Sequence, residues 1–204
     1  MQVTKIEPVT KTKFKVYLEE QFAFVLYKGE LSRFKIQEGA ELSQEIVNEI
    51  KKEVLEKRVK LRAMYLLNQM DRTEEQLRMK LKRDLYTDDL IELAMAYVKS
   101  FGYIGDHNYA RRFVESKCNT KSKAEIKMLL LQKGVSKDII ENALETGYSE
   151  ENECMAIHKI LEKKRFSVVE STELEKKKMF DYLMRKGFHY DEIRQVIQVS
   201  SWNA

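Results

Sequence analysis

The chain has 204 residues, of which 34% are charged and 43% hydrophobic, and its formal net charge is +4. This length suits one sizeable domain or a few small modules. No apolar run approaches the roughly 20 residues that span a bilayer, and the first residues lack the apolar core of a secretion signal. Two isolated cysteines, Cys118 and Cys154, are typical of reduced thiols. We therefore expect a cytoplasmic protein without a membrane segment.

Residues 1–40 have the composition of β structure. The run KFKVYL (13–18) alternates apolar and polar residues, and FAFVLY (22–27) follows after a short polar turn. Two such runs predict a β-hairpin, and residues 3–7 predict a third strand that Pro8 closes. A hairpin alone is marginally stable. We therefore expect this N-terminal extension to pack on the helices behind it.

Residues 41–60 predict a linking helix, which Gly39 separates from the extension. Ser43 is the candidate N-cap, and apolar residues then recur at helical spacing. These apolar residues are Ile46, Ile50, Val54 and Leu61. Beyond this helix no segment predicts a strand, and the single proline and seven glycines of the chain favour long helices.

The remainder of the chain is repetitive. The stretches LLLQKGVSKDIIENAL (129–144) and YLMRKGFHYDEIRQVI (182–197) align without gaps, and RTEEQLRMKLKRDLYTDDLIELAM (72–95) is a third copy. Each copy predicts two helices, and another helical stretch precedes it, so the repeat is a three-helix module of about 50 residues. The predicted modules are residues 61–105, 106–148 and 149–204.

The repeat also predicts caps and a core. Thr73 and Ser122 are the expected N-caps, and Gly134 and Gly187 stand at helix ends. The equivalent core positions are Leu81, Leu130 and Leu183, with Ile91, Ile140 and Ile193. The predicted fold is mainly α, with three tandem three-helix, helix-turn-helix-like repeats in an elongated, curved monomer behind the N-terminal β-hairpin extension.

The sequence offers no catalytic constellation. His107, His158 and His189 are isolated in the sequence, each without a second histidine at i+3 or i+4, so they favour exposed or capping roles over a metal site. The chain has no glycine-rich phosphate loop and no GxSxG elbow. Its carboxylates are scattered among lysines, as on a solvated surface. We expect neither an enzyme nor a bound cofactor or metal.

Several short motifs resemble those of the RecX family of recombination regulators. They are Arg72-Thr73 before a Glu-Leu helix, Gly102-Tyr103-Ile104-Gly105-Asp106, Tyr109-Ala110 and Lys133-Gly134. The resemblance covers roughly residues 60 to 200. Members commonly have two acids at the position of Gly105-Asp106, and many have Gly-Pro where this chain has Lys121-Ser122-Lys123. The N-terminal extension resembles one found in some members from Gram-positive bacteria.

The resemblance implies a protein without catalysis that acts in homologous recombination, DNA repair and the SOS response. RecX-like proteins bind the RecA recombinase, reach into the groove of its filament on single-stranded DNA, and modulate ATP hydrolysis and strand exchange. We expect inhibition, although the sign of the effect stays open. Contact with single-stranded DNA is expected to be weak or to occur within the filament.

Two groups of side chains are candidates for partner contact. Arg78 and Lys82 lie one turn apart on one helix face, and with other basic residues of the first two modules they predict a ridge facing the RecA–DNA groove. The full set is Arg72, Arg78, Lys82, Arg83, Arg111, Arg112, Lys117, Lys121, Lys123 and Lys127. The aromatic residues are Tyr65, Tyr97, Phe101, Tyr103, Tyr109 and Phe113. These aromatic rings could stack on the bases of single-stranded DNA, but their spacing favours positions in a core between modules.

Two other functional classes of protein are also compatible with the sequence. Helix–short turn–helix units can present a helix to a DNA major groove, so the alternative is a direct DNA-binding protein of helix-turn-helix type. The interspersed charges and the absence of a clear recognition face argue against it. A structural scaffold without any nucleic-acid partner is the third class.

Overall fold

The computed structural model describes residues 1–197, so the end of the predicted third module, residues 198–204, lies outside the described residues. It begins with an antiparallel sheet of β1 (Val3–Pro8), β2 (Lys13–Leu18) and β3 (Gln21–Tyr27), in the order β1-β2-β3. Glu19 and Glu20 join β2 to β3 with φ of 48° and 65°, the left-handed values typical of a tight hairpin turn. The predicted hairpin and third strand are confirmed.

The chain forms two compact units, residues 1–104 and a second that begins at Gly105. In the first unit the sheet shares one apolar core with the helices, and Phe24 and Leu26 are at most 1% exposed. Arg58 fastens the two layers, because its Nη1 donates to the Val25 carbonyl at 3.0 Å and its guanidinium also pairs with Glu30. The expectation that the extension packs on the helices is confirmed.

The helices of the first unit are α1 (Lys28–Arg33), α2 (Gln44–Glu49), α3 (Glu56–Gln69), α4 (Glu74–Arg83) and α5 (Asp88–Ser100). A π-helical segment, Ile50–Leu55, joins α2 to α3 without a break. Ser43 begins α2 as predicted, since its side chain accepts a hydrogen bond from the Ile46 amide at 3.3 Å. Thr73 likewise caps α4 through the Gln76 amide at 3.2 Å.

Leu61 departs from the apolar face that the sequence predicted. Its exposed fraction is 68%, whereas Ile50 is fully buried. The π-helical segment winds with i→i+5 hydrogen bonds, so the residues beyond it leave the register of the 3.6-residue repeat. The buried positions become Leu55, Val59 and Ala63. The prediction for Leu61 was wrong because it assumed a uniform α-helix.

The second unit holds two three-helix modules with separate cores. The first comprises α6 (Asp106–Lys117), α7 (Lys123–Gln132) and α8 (Lys137–Gly147), and the second comprises α9 (Glu150–Lys163), α10 (Glu173–Arg185) and α11 (Tyr190–Ile197). Ser122 caps α7, and Gly134 and Gly187 follow the ends of α7 and α10 with φ of 83° and 81°. These predicted caps are confirmed.

The positions that align between repeats are all buried. Their exposed fractions are at most 4%. They are Leu81, Leu130, Leu183, Ile91, Ile140 and Ile193. Each of these leucine–isoleucine pairs lies in the core of its own module. The mainly helical fold, with three-helix repeats behind an N-terminal sheet, is confirmed.

Candidate partner-binding surface

Arg78 and Lys82 share one face of α4, as the sequence predicted, and both are paired with acids of α5. Arg78 forms an ion pair with Glu92, and Lys82 Nζ lies 3.5 Å from Asp88 Oδ1. Such exposed pairs contribute little to stability. These ion pairs matter more for recognition than for stability, because they give this face of α4 alternating charge rather than a continuous positive charge.

The two other predicted contact residues of the first unit differ in exposure. Arg72 is half-buried, and its Nε donates to the Leu66 carbonyl at 3.2 Å, which ties the end of α3 to the start of α4. Arg83 is exposed at the last position of α4. Arg72 therefore has a structural contact of its own, and Arg83 is accessible to a partner.

Three predicted contact residues of the second unit lie on α6. Arg111 and Arg112 are exposed, and Lys117 is half-buried in the last turn. Arg111 Nε lies 4.0 Å from Glu115 Oε1, and Arg112 Nε donates to the Asn108 carbonyl at 3.4 Å. Both guanidiniums thus lie along their own helix.

The last three predicted contact residues surround the start of α7. Lys121 pairs with Glu125, and Lys127 Nζ lies 2.9 Å from Glu141 Oε1. Lys123 and Lys127 line a cleft of about 360 Å³ that also includes Gly187 and His189, between α10 and α11. Four of the ten predicted residues belong to the first unit and six to the second, so their union in a single ridge stays a prediction.

The start of α7 meets the end of α10 in a close junction. The hydroxyl of Ser122 is fully buried; it accepts from the Glu125 amide at 3.1 Å and donates to the Lys186 carbonyl at 2.6 Å. Gly187 is needed here, since a Cβ added to it would lie 2.6 Å from Ala124 Cβ. This contact fixes the second module against the third.

A larger cleft of about 600 Å³ lies beside the same junction and is lined mainly by lysines. We call it the lysine cleft and define it by Lys121, Lys159, Lys163, Lys164 and Lys186. Its wall also includes Tyr182, whose ring centroid lies 4.3 Å from Lys164 Nζ. The sequence prediction missed four of these lysines, because it sought basic residues only in the first two modules. The i, i+4 spacing of Lys159 and Lys163 was the available signal.

An exposed aromatic cluster closes the first unit. Tyr97 and Phe101 pack edge to face with ring centroids 5.0 Å apart, and Phe101 stacks on Tyr103 at 5.5 Å. Phe101 and Tyr103 are 56% and 54% exposed. The prediction of core positions was wrong for these two residues, because α5 ends at Ser100 and the chain then turns at Gly102, where φ is 67°. Helical spacing therefore no longer applies to them.

The other predicted aromatic residues divide in the same way. Tyr109 and Phe113 are partly buried against the core of the second module, and Lys133 Nζ lies within 5.8 Å of both ring centroids. Tyr65 on α3 is 55% exposed and lies under the Arg62 guanidinium. Tyr109 and Phe113 thus pack within their own module, so a core position between modules stays a prediction for them, and it is wrong for Tyr65.

His189 is not alone, as the sequence suggested. Its backbone amide donates to Glu153 Oε1 at 2.8 Å, and its Nδ1 lies 3.0 Å from both Glu153 oxygens. Glu192 completes a group of three whose potential ligand atoms lie within 4.8 Å of one another. Glu153 lies on α9, whereas His189 and Glu192 are three residues apart at the start of α11. Glu153, only 3% exposed, caps the start of α11.

Neither cysteine lies in a site that would activate it. Cys118 is buried in the core of the second module, and both thiols are free. Burial raises the pKa of the Cys154 thiol, and the nearby carboxylates of Glu192, Glu153 and Glu150 raise it further. A thiol with a raised pKa holds less of the nucleophilic thiolate. This environment favours a structural role for Cys154.

Comparison with known proteins supplies the family. The chain is 33% identical over 202 residues to the regulatory protein RecX of Caldanaerobacter subterraneus subsp. tengcongensis, which covers 98% of this chain and 100% of the relative. The chain belongs to the RecX family. A RecX relative from Clostridium botulinum is 31% identical over 208 residues, covering 97% of this chain and 95% of the relative.

Family models and solved structures agree with the modules described above. The RecX second three-helix domain matches residues 106–144, and the third three-helix domain matches residues 151–197. A crystal structure of a regulatory protein RecX shares the fold at a TM-score of 0.62 and 24% identity, covering 98% of this chain and 99% of that chain. RecX from Lactobacillus salivarius gives a TM-score of 0.59 at 27% identity, covering 71% of this chain and 95% of that chain.

Membership of the RecX family gives the protein a regulatory role. The family name is consistent with a protein that is not an enzyme. In the part of the chain that the structure describes, no helix has both the length and the apolar character to cross a membrane. The functional question is therefore which partner these modules recognise.

Proposed function

We propose that this RecX protein binds the RecA recombinase and its filament on single-stranded DNA, and that it inhibits RecA's ATPase and strand exchange. The observation that carries the proposal is the identity to regulatory protein RecX over 98% of the chain. The partner follows from the family resemblance. Because RecA acts on DNA in the cytoplasm, we also expect this protein to be cytoplasmic.

The charge arrangement supports a protein partner better than bare duplex DNA. Arg78, Lys82 and Lys127 are each paired with a glutamate or aspartate on a neighbouring helix. A dedicated DNA surface concentrates unpaired positive charge on phosphates. A surface of alternating charge instead selects a partner whose own charges are complementary. A recombinase filament offers such a protein surface around its DNA.

Modular construction supports tight binding from weak contacts. The second and third modules are held together by the Ser122–Lys186 hydrogen bond. Once one module of such a pair is bound, the contacts of its neighbour become intramolecular, which raises the overall affinity without any strong single contact. Inhibition then requires only that the bound protein hinders the turnover of the filament.

The test is a charge reversal at three predicted contact residues. A variant carrying Arg78→Glu, Lys82→Glu and Lys123→Glu is expected to bind RecA filaments more weakly than the wild type, most clearly at low salt. The matched control carries Arg78→Lys, Lys82→Arg and Lys123→Arg, which keeps every charge. Thermal unfolding confirms that both variants fold. A folded reversal variant that inhibits RecA's ATPase at wild-type concentrations would remove these residues from the mechanism.

Direct binding to duplex DNA is the competing function from the sequence. It predicts an affinity that falls steeply with salt, with a slope that corresponds to about six or more phosphates. The ion pairs of Arg78 and Lys82 lower the charge that this function needs. Titration of a short duplex at several salt concentrations separates the two functions, because the RecA proposal predicts a shallow slope.

A further inference from the structure

The lysine cleft between the second and third modules holds five lysines and one lining carboxylate, that of Glu125. Lys121 is the member that is paired, with Glu125. Among the described residues, Lys159, Lys163, Lys164 and Lys186 form no ion pair, and Lys164 Nζ lies over the ring of Tyr182. Elsewhere in this chain basic side chains commonly lie beside acids. Like charges that converge repel one another, so the cleft is suited to an anion.

Helix ends explain part of this arrangement. Lys163 lies in the last turn of α9, Lys164 is its C-cap, and Lys186 is the C-cap of α10. Cations at these positions stabilise the negative end of the helix dipole. Lys159 lies one turn earlier, and Lys121 precedes the N-cap of α7. Helix capping therefore accounts for three of the lysines and not for the convergence of all five.

We propose that the lysine cleft binds the phosphodiester backbone of a single nucleic-acid strand. Lys159 and Lys163 lie four residues apart on α9, about 6 Å along the helix axis, which is of the order of the distance between successive phosphates in an extended strand. The cleft has a volume of about 600 Å³, enough for a short segment of one strand. Tyr182 in its wall adds an aromatic surface next to the backbone path, as in other single-strand grooves.

The proposal deepens the proposed function and rests on it only for the choice of ligand, since a RecA filament holds single-stranded DNA. The lysine cleft is separate from Arg78, Lys82 and Lys123, on which the RecA test above depends. Binding to a bare oligonucleotide therefore tests the cleft in the absence of RecA. Inhibition of RecA's ATPase tests the regulatory function in its presence.

The experiment compares three variants of the full chain by fluorescence anisotropy with an oligothymidylate of about 20 nucleotides at low salt. Lys159→Gln with Lys163→Gln is expected to weaken binding about tenfold and to lower the slope of log K against log salt by about 1.4, at about 0.7 for each phosphate that is no longer neutralised. Lys159→Arg with Lys163→Arg keeps the charge and is expected to bind within about twofold of the wild type. The control, Lys137→Gln with Lys178→Gln, removes exposed lysines outside the cleft and is expected to bind like the wild type.

Three results would overturn the proposal. One is a glutamine variant of the cleft that binds the oligonucleotide like the wild type. Another is a wild-type protein that does not bind it at low salt. The third is tighter binding of a poly-glutamate peptide than of the oligonucleotide to the wild type, with loss of peptide binding in the glutamine variant of the cleft. That result would assign the cleft to an acidic protein segment. Thermal unfolding of every variant shows whether weaker binding reflects a loss of fold.

Discussion

The buried hydroxyl of Ser122 donates a hydrogen bond to the backbone carbonyl of Lys186 at 2.6 Å. The same oxygen accepts from the Glu125 amide at 3.1 Å. One side chain therefore caps the start of α7 and satisfies a carbonyl at the end of α10, 64 residues further along the chain. The local cap and the contact between modules depend on the same atom.

Replacement of Ser122 by Ala is expected to lower the free energy of unfolding of the second unit by about 1–3 kcal/mol. The loss combines a missing N-cap with a Lys186 carbonyl left without its partner. Ser136→Ala is the matched control, because Ser136 stands before α8 without a side-chain cap hydrogen bond, and it is expected to cost about 0.5 kcal/mol or less. Chemical denaturation measures both. Equal losses would show that the Ser122 contact contributes nothing.

Gly187→Ala tests the close approach of the two modules. Gly187 and Gly39 have nearly the same φ, 81° and 82°, but a Cβ at Gly187 would meet Ala124 Cβ at 2.6 Å, whereas one at Gly39 would meet nothing within 4 Å. Both substitutions strain the backbone. Gly187→Ala is expected to destabilise its unit by about 1–3 kcal/mol more than Gly39→Ala does, because overpacking adds to the strain. Thermal unfolding with similar shifts for both would contradict this packing.

The core register is tested by two residues of α7. Leu130 is fully buried, whereas Lys127 is half-exposed and pairs with Glu141. Leu130→Ala is expected to cost about 2–5 kcal/mol, and Lys127→Ala less than about 1 kcal/mol. Denaturant midpoints provide the measurement. If the two substitutions shifted the midpoint equally, the alignment of the repeats would be wrong.

Glu153 and His189 make unequal contributions to the third module. The Glu153 carboxylate accepts from both the backbone amide and the imidazole of His189. Glu153→Ala leaves that amide without its acceptor and is expected to cost about 1–3 kcal/mol. His189→Ala keeps the amide hydrogen bond, so a smaller loss is expected. Hydrogen exchange of the His189 amide should accelerate in the first variant only, and protection in both would count against the cap.

Local patterns predicted most of the fold, since caps and helical spacing lie within a few residues of each other. Ser122, Thr73 and the aligned leucines and isoleucines were found in this way. The Ser122–Lys186 contact was not, because the two residues are 64 positions apart. Leu61 was misplaced because nothing in the 3.6-residue pattern reveals a π-helical segment.

The candidate site was harder to predict than the fold. His189 and Glu192 have the i, i+3 spacing that a sequence reveals, but Glu153 lies 36 residues from His189 and joins them only because the module folds. The lysine cleft draws on two modules and the ends of two helices, so its lysines are far apart in the sequence and converge only in the fold. Phe101 and Tyr103 follow the end of α5, so their exposure depended on a helix boundary rather than on periodicity.

Binding and inhibition of RecA filaments by this RecX protein can be measured together, by co-sedimentation with RecA on single-stranded DNA and an ATPase assay of the same mixtures. We expect the protein to sediment with the filaments and ATP hydrolysis to fall as its concentration rises. Protein that stays in the supernatant while RecA's ATPase is unchanged would show that the proposed function is wrong.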